Sequence, residues 1–170
     1  MSSELRVDKI VPTDGVPTGG GGGIIQMKQT VVSVHTFNTT STSKVDMTGM
    51  TVTLTNVQSG SKVYIITNMQ LGTADAGMAM RLFRGATEIC EPASADGGYD
   101  GAMVCNIDNN NTQMPTAHTF LDTTPGTGTV TYKWQWRSSS GSQTIYLNSY
   151  VGGGTNWNST SSITAMEVAG

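Results

Sequence analysis

The chain has 170 residues, room for one domain and a tail, and Gly, Thr, Ser and Asn together exceed two-fifths of it while charged residues make up 12%. A net charge of −3, with nine Lys and Arg scattered along the whole length, argues against a phosphate-binding surface and therefore against nucleic-acid partners. No apolar stretch reaches the roughly 20 residues of a membrane-spanning helix, so no membrane insertion is expected.

The first segment, Leu5–Pro12, carries Leu5, Val7, Ile10 and Val11, more apolar side chain than a solvated tail normally exposes. Too short to build a core, it is expected to order by adding strand-like to a partner or to further copies of the chain; the alternative is a disordered terminus. Five glycines follow, Gly19–Gly23. Glycine loses the most conformational freedom on ordering, so the run reads as a hinge spanning about 12 Å if flexible. It is not a phosphate cradle, because the spaced glycines, the Gly-Lys-Ser/Thr and the helix of a P-loop are missing. Residues 1–18 are thus read as an attachment peptide, 19–23 as a linker and 24–170 as a globular body. The N-terminus lacks the basic-then-apolar order of a secretion signal, which predicts folding in a cytosol.

From residue 24 the chain reads as strand and turn. Residues 24–37 are strand-rich, and Asn38–Lys44 is a polar loop. Met50, Val52 and Leu54 alternate with Thr51, Thr53 and Thr55, the period of a strand with one buried face. A turn over Gln58–Lys62 leads to Val63–Leu71, apolar on both faces near its start, as in a central strand. Met78, Met80 and Leu82 mark the next inward face, with Arg81 on the other. Cys90 and Cys105 flank the turn-rich Glu91–Gly101, and a hairpin closing near Gly97 and Gly98 would set the thiols nearly opposite each other. Two small buried hydrophobes are the preferred reading over a disulfide in a reducing compartment.

Asp108–Pro115 reads as loop, Ala117–Asp122 as strand, Thr124–Gly126 as turn and Thr129–Arg137 as strand. Ser138–Ser142 turns the chain into Gln143–Val151. A Gly/Asn loop, Gly152–Asn158, precedes a last strand, Ser162–Val168, paired in a sheet and needed for folding. Roughly eight to ten short strands with no convincing helix predict an all-β protein, an antiparallel β-sandwich of jelly-roll type. Ten methionines suit irregular gaps in a core or a contact surface.

Tyr132, Trp134 and Trp136 alternate with Lys133, Gln135 and Arg137. Three aromatics on one strand face form either the sandwich core, the preferred reading, or, with Trp157 of the Gly/Asn loop, a surface for sugar rings or for subunit contacts. No catalytic signature stands out. Asp108–Gln113 has one carboxylate and lacks the glycine and distal Glu of a calcium loop. His35 and His118 have no Cys or carboxylate cluster beside them in sequence, so no zinc site is expected. Ser is too abundant for a triad to be written from sequence, and Asp96, Asp100 and Asp122 have no spacing that favours glycoside cleavage. Neither cofactor nor metal nor enzymatic activity is expected.

The tract Ser3–Gly15 resembles the opening of virion fibre proteins of tailed bacteriophages, particularly marine and cyanobacterial ones. Leu82–Ile89, Ala117–Asp122, Thr129–Lys133 and Ser161–Val168 follow the same order as in the knob-like domains of such fibres. The resemblance implies a homotrimeric virion appendage made in the bacterial host cytoplasm. Its N-terminal end would join capsid, portal, adaptor or tail proteins, and its knob would face outward, toward a host-surface glycan if it binds one. Unlike a long tail fibre the chain has almost no shaft, so a head fibre, a capsid decoration or a fibre tip fits its length equally well.

Overall fold

A computed structural model describes residues 23–73, 76–93, 100–107, 112–150 and 158–170. The anchor residues Leu5, Val7, Ile10 and Val11, most of the glycine run and Trp157 lie outside the described residues. The described residues form eleven strands: β1 (Ile24–Val32), β2 (Asn38–Thr39), β3 (Val45–Val57), β4 (Lys62–Thr73), β5 (Ala76–Arg84), β6 (Thr87–Ile89), β7 (Met103–Ile107), β8 (Gln113–Asp122), β9 (Gly128–Ser138), β10 (Ile145–Leu147) and β11 (Ser161–Val168). All pairings are antiparallel.

Three pairs of these strands are single ribbons interrupted in line. β6 and β7 both run against β5, with Ile89 opposite Leu82 and Met103 opposite Met80. β10 and β11 both run against β4, with Leu147 opposite Leu71 and Ser162 opposite Asn68. β1 and β2 lie end to end along β11 and β10. Counted as eight ribbons in chain order, sheet I has the order first-eighth-third-sixth (β1/β2, β10/β11, β4, β8). Sheet II has the order second-seventh-fourth-fifth (β3, β9, β5, β6/β7). That is jelly-roll connectivity, and the sandwich expected from the strand pattern is what the chain forms.

The inner faces follow the period of two. β4 turns Val63, Ile65, Thr67, Met69 and Leu71 inward, and β9 turns Val130, Tyr132, Trp134 and Trp136 inward against them. Met50, Val52 and Leu54 of β3 and Met78, Met80 and Leu82 of β5 join the same core, as their alternation predicts. Burying a side chain of this size stabilises the fold by about 1.5–3 kcal/mol. Where the two sheets meet across the core, the Trp134 indole Nε1–H donates to Thr67 Oγ1 at 3.0 Å, so the one polar atom of a fully buried tryptophan is satisfied. β11 is an interior strand between β1 and β4, with Ile163 inside and Met166 and Val168 half-buried on the outer face.

Register corrects three local expectations. The segment between Cys90 and Cys105 is not a hairpin: the chain makes an excursion, leaving one ribbon after Ile89 and rejoining the same ribbon at Met103, and the thiols sit along the same edge of β5. Ile89 and Cys105 are four β5 positions apart, at Leu82 and Met78, or about 13 Å. Cys90 lies one residue from Ile89, so its Cα is at least about 9 Å from that of Cys105, beyond disulfide reach. Both cysteines are free. The expected loop Asp108–Pro115 gives way at Gln113, where β8 begins and includes Pro115; β8 is a sheet edge, where a missing N–H costs no ladder bond. The expected strand Gln143–Val151 shrinks to β10 because Asn148, at φ +63°, turns the chain out of the sheet.

Candidate functional site

The chain directions give the sandwich two unlike poles. Gly23 enters at one, and the Ala169 N–H donates to its carbonyl oxygen at 3.0 Å, so both described ends of the chain lie together there. The turns at 58–61, 85–86 and 123–127 are at the same pole. Two buried carboxylates hold it. Glu167 accepts from the Gln58 backbone N–H at 2.7 Å and from Gln26 Nε2 at 2.6 Å. Asp122 accepts from Arg84 at 2.8 Å and from the Tyr132 hydroxyl at 2.9 Å. Burial and the Asp122 carboxylate both raise the Tyr132 pKa, keeping the phenol a donor.

The opposite pole lies about 40 Å away along the twelve residues of β4. Here β3, β5 and β10 begin and β4, β7 and β9 end. Residues 40–44 and 139–144 pack side by side, the Ser138 N–H donating to the Ser41 carbonyl at 2.7 Å. The Ser41 hydroxyl donates to the Ser43 carbonyl at 2.8 Å, and the hydroxyls of Ser140 and Ser142 lie 2.8 Å apart. Apart from Lys44, paired with Glu88 at 2.9 Å, these two loops carry only uncharged side chains. A surface of this kind offers many weak hydrogen bonds and little electrostatic steering.

The aromatics offered as a sugar platform are not on any surface. Tyr132 and Trp134 are fully buried and Trp136 is 3% exposed. Their strand face is the inner face of sheet II, so the core reading holds and the ligand and subunit-contact readings for these three are corrected. Of the polar loops, residues 94–99 of Glu91–Gly101, residues 108–111 of Asp108–Pro115 and all of Gly152–Asn158 except Asn158 lie outside the described residues. Arg81 is only 4% exposed although it points away from the core, with Asp100 and Gly101 lying against it on the outer face of β5. Arg81 donates to Glu88 at 2.8 and 3.0 Å, just before the excursion, and to Asp100, near its end. Gly101 fits there because its α-carbon lies against the Met80 carbonyl, where a Cβ would clash.

Between β8 and β6, Cys90 Sγ lies 3.6 Å from His118 Nε2. His118 meets Trp134 edge-on, with ring centroids 5.5 Å apart. This geometry could suggest a thiol–imidazole pair, but burial pushes the Cys90 thiol up and the His118 imidazole down. Both neutral forms are favoured, the reverse of what an activated thiolate requires. Asp100 and Asp122 are each committed to a different arginine. Among the described residues no three His, Cys, Asp or Glu side chains converge where they could hold a metal. The sequence pattern gave no warning of the Arg81–Glu88–Asp100 cluster or of Glu167, whose partners are far away in the chain.

A scan against protein-family models finds no match, and no curated protein matches the chain.

Proposed function

We propose that the chain is a virion structural protein of a tailed bacteriophage, a homotrimeric knob joined to the particle through residues 1–18. The separation of the two poles carries this reading. The linker side of the body and its C-terminus share one pole, and the hydroxyl-rich loops occupy the other, so a body mounted through its N-terminus presents those loops outward. The resemblance of Ser3–Gly15 to fibre openings and the alternation of Leu5 with Val7 support the first eighteen residues as the mount. In this role the serine-rich pole contacts a host-surface glycan through weak bonds, multiplied by the three copies. No chemistry is assigned to the knob.

Placing the protein on the particle by electron cryo-microscopy, combined with Leu5→Asp plus Val7→Asp, tests the reading. The double variant should fold with an unchanged melting temperature and fail to join particles; normal incorporation would overturn the mount. Adsorption of the purified knob to host cells or a glycan array tests the outward role. Knobs on the capsid surface with no adsorption would instead make the protein a capsid decoration, which the lack of a shaft also suits.

A further inference from the structure

We propose that the outer face of sheet I is the surface through which copies of this chain pack against one another. The inference rests on the multimeric reading above and adds the face that serves it. Along one row, antiparallel register sets Met27 beside Met166, Met166 beside Tyr64 and Tyr64 beside Leu121, an apolar line across all four ribbons. Ile24 extends it toward the linker pole and Val31 toward the other. Of the six exposed large hydrophobics among the described residues, four stand here: Ile24 at 63%, Met27 at 59%, Val31 at 58% and Leu121 at 45%.

Charge separates the two outer faces of the sandwich. Sheet II carries Asp46, Arg81, Glu88, Lys133 and Arg137 on its outer side, largely in ion pairs. The outer side of sheet I carries Lys62 at one margin and otherwise neutral side chains such as Thr164, Ile66 and Thr119. Depletion of charge around an apolar centre is the composition of a subunit interface, and it does not suit a solvated face. Size agrees as well. Four ribbons about 4.8 Å apart, with β4 about 36 Å long between Lys62 and Gly72, project an area of roughly 700 Å². A standard interface buries about 800 Å² per partner. The occupant argued for is another copy of this chain, because a common mount at the linker pole brings copies alongside one another at high effective concentration.

The experiment is light scattering on the full chain between about 1 and 100 μM, for the wild type and for Met27→Lys with Leu121→Lys. Both positions are exposed and on edge ribbons, so the fold should tolerate the change. A wild-type oligomer, with a variant that has the 17.9 kDa mass of one chain and the wild-type circular dichroism, is the expected result, with dissociation at least 100-fold easier. Asp46→Lys with Lys133→Glu, on the other outer face, should stay assembled. A variant that assembles as well as wild type overturns this face and leaves the multimeric reading standing. A wild type monomeric throughout, whether or not it binds lipid vesicles, overturns both, while the mount is judged separately by particle incorporation. Should the lysine variant not fold, peroxide footprinting of the wild type decides: Met27 must be protected in the oligomer, and equal oxidation at low and high concentration overturns the proposal.

Discussion

Ser161 Oγ donates to Asn148 Oδ1 at 2.5 Å, closing with one hydrogen bond the excursion that interrupts the ribbon β10/β11. Asn148 leaves the sheet at φ +63°, a backbone that asparagine tolerates better than most residues. Its Nδ2 donates to the Val32 and Val34 carbonyls at 2.7 and 3.1 Å, and its backbone N–H donates to the Gln70 carbonyl at 2.8 Å. Ser161 Oγ in turn accepts from the Gln70 N–H at 3.0 Å. One fully buried amide therefore ties β1, β4 and both ends of the excursion together.

Asn148→Ala should cost about 3 kcal/mol, combining orphaned buried carbonyls with a residue forced into the left-handed region. Asn148→Gly removes the same hydrogen bonds without the backbone strain and should recover about 1 kcal/mol of that loss. Urea unfolding midpoints of the two variants separate the contributions; equal midpoints would show that backbone strain plays no part.

The other excursion is closed by charge. Arg81, 4% exposed, has Glu88 and Asp100 for partners, so removing Asp100 strips one of two charge-assisted partners from a buried guanidinium. Asp100→Ala should destabilise by about 1.5–3 kcal/mol, the loss of a buried hydrogen bond to a charged group while Glu88 still holds Arg81. Arg81→Met with Glu88→Gln and Asp100→Asn, which removes the three charges of the cluster together and leaves only the exposed Lys44, should be milder. Asp46 and Lys133 form the comparison: Asp46 is 59% exposed, and Asp46→Ala should cost below about 1 kcal/mol. Denaturation curves of the three variants give the order, and a milder Asp100→Ala than Asp46→Ala would refute the account.

Much of this architecture was legible because it is local. The Met50–Leu54 alternation, the apolar run of β4 and the aromatic spacing of β9 each fix one strand and its inward face. Which strands meet was not legible. The residues around Cys90 and Cys105 look like a hairpin because a Gly-rich turn between two strand-like segments is the usual hairpin pattern. Only the register against β5 reveals one ribbon with a loop thrown out of it. The outer face of sheet I is illegible for the same reason: Met27, Tyr64, Leu121 and Met166 come from four segments, and nothing in any one of them announces the row they form. Arg81 reads as a solvated residue from its position alone, because Asp100 and Gly101, which lie against it, come from elsewhere in the chain.

The thiols should respond unequally and not pair. Burial pushes Cys105 up to about 11, and raises Cys90 from its ordinary value of 9.0. Thiolate is the reactive form, so a disulfide-exchange reagent at pH 8 should modify Cys90 well before Cys105, the raised value of Cys105 alone implying a thiolate population about 100-fold below that of a free thiol. Mass spectrometry after air oxidation should find both thiols free in the native protein. An intramolecular Cys90–Cys105 bridge formed without unfolding would contradict the register of β6 and β7.

Acid should weaken the fold through His118. The ring is set inward from β8 against Trp134, and burial lowers its pKa below the ordinary 6.5. The unfolded chain takes up a proton near pH 6.5 while the native chain resists it, so the unfolded state binds more protons below that pH. The stability from keeping the imidazole neutral is therefore fully present above about pH 7 and is lost as pH falls from 6.5 toward the lowered native value. Cys90, its neighbour, has a raised pKa and stays neutral throughout this range. Asp46, held below 3.8 by its hydrogen bond from Lys133, titrates at more acid pH and does not interfere. Urea midpoints followed by tryptophan fluorescence should thus be flat from pH 8 to 7 and decline from 6.5 to 5, and His118→Gln should flatten the decline. An unchanged slope in that variant would mean that another group drives the acid response.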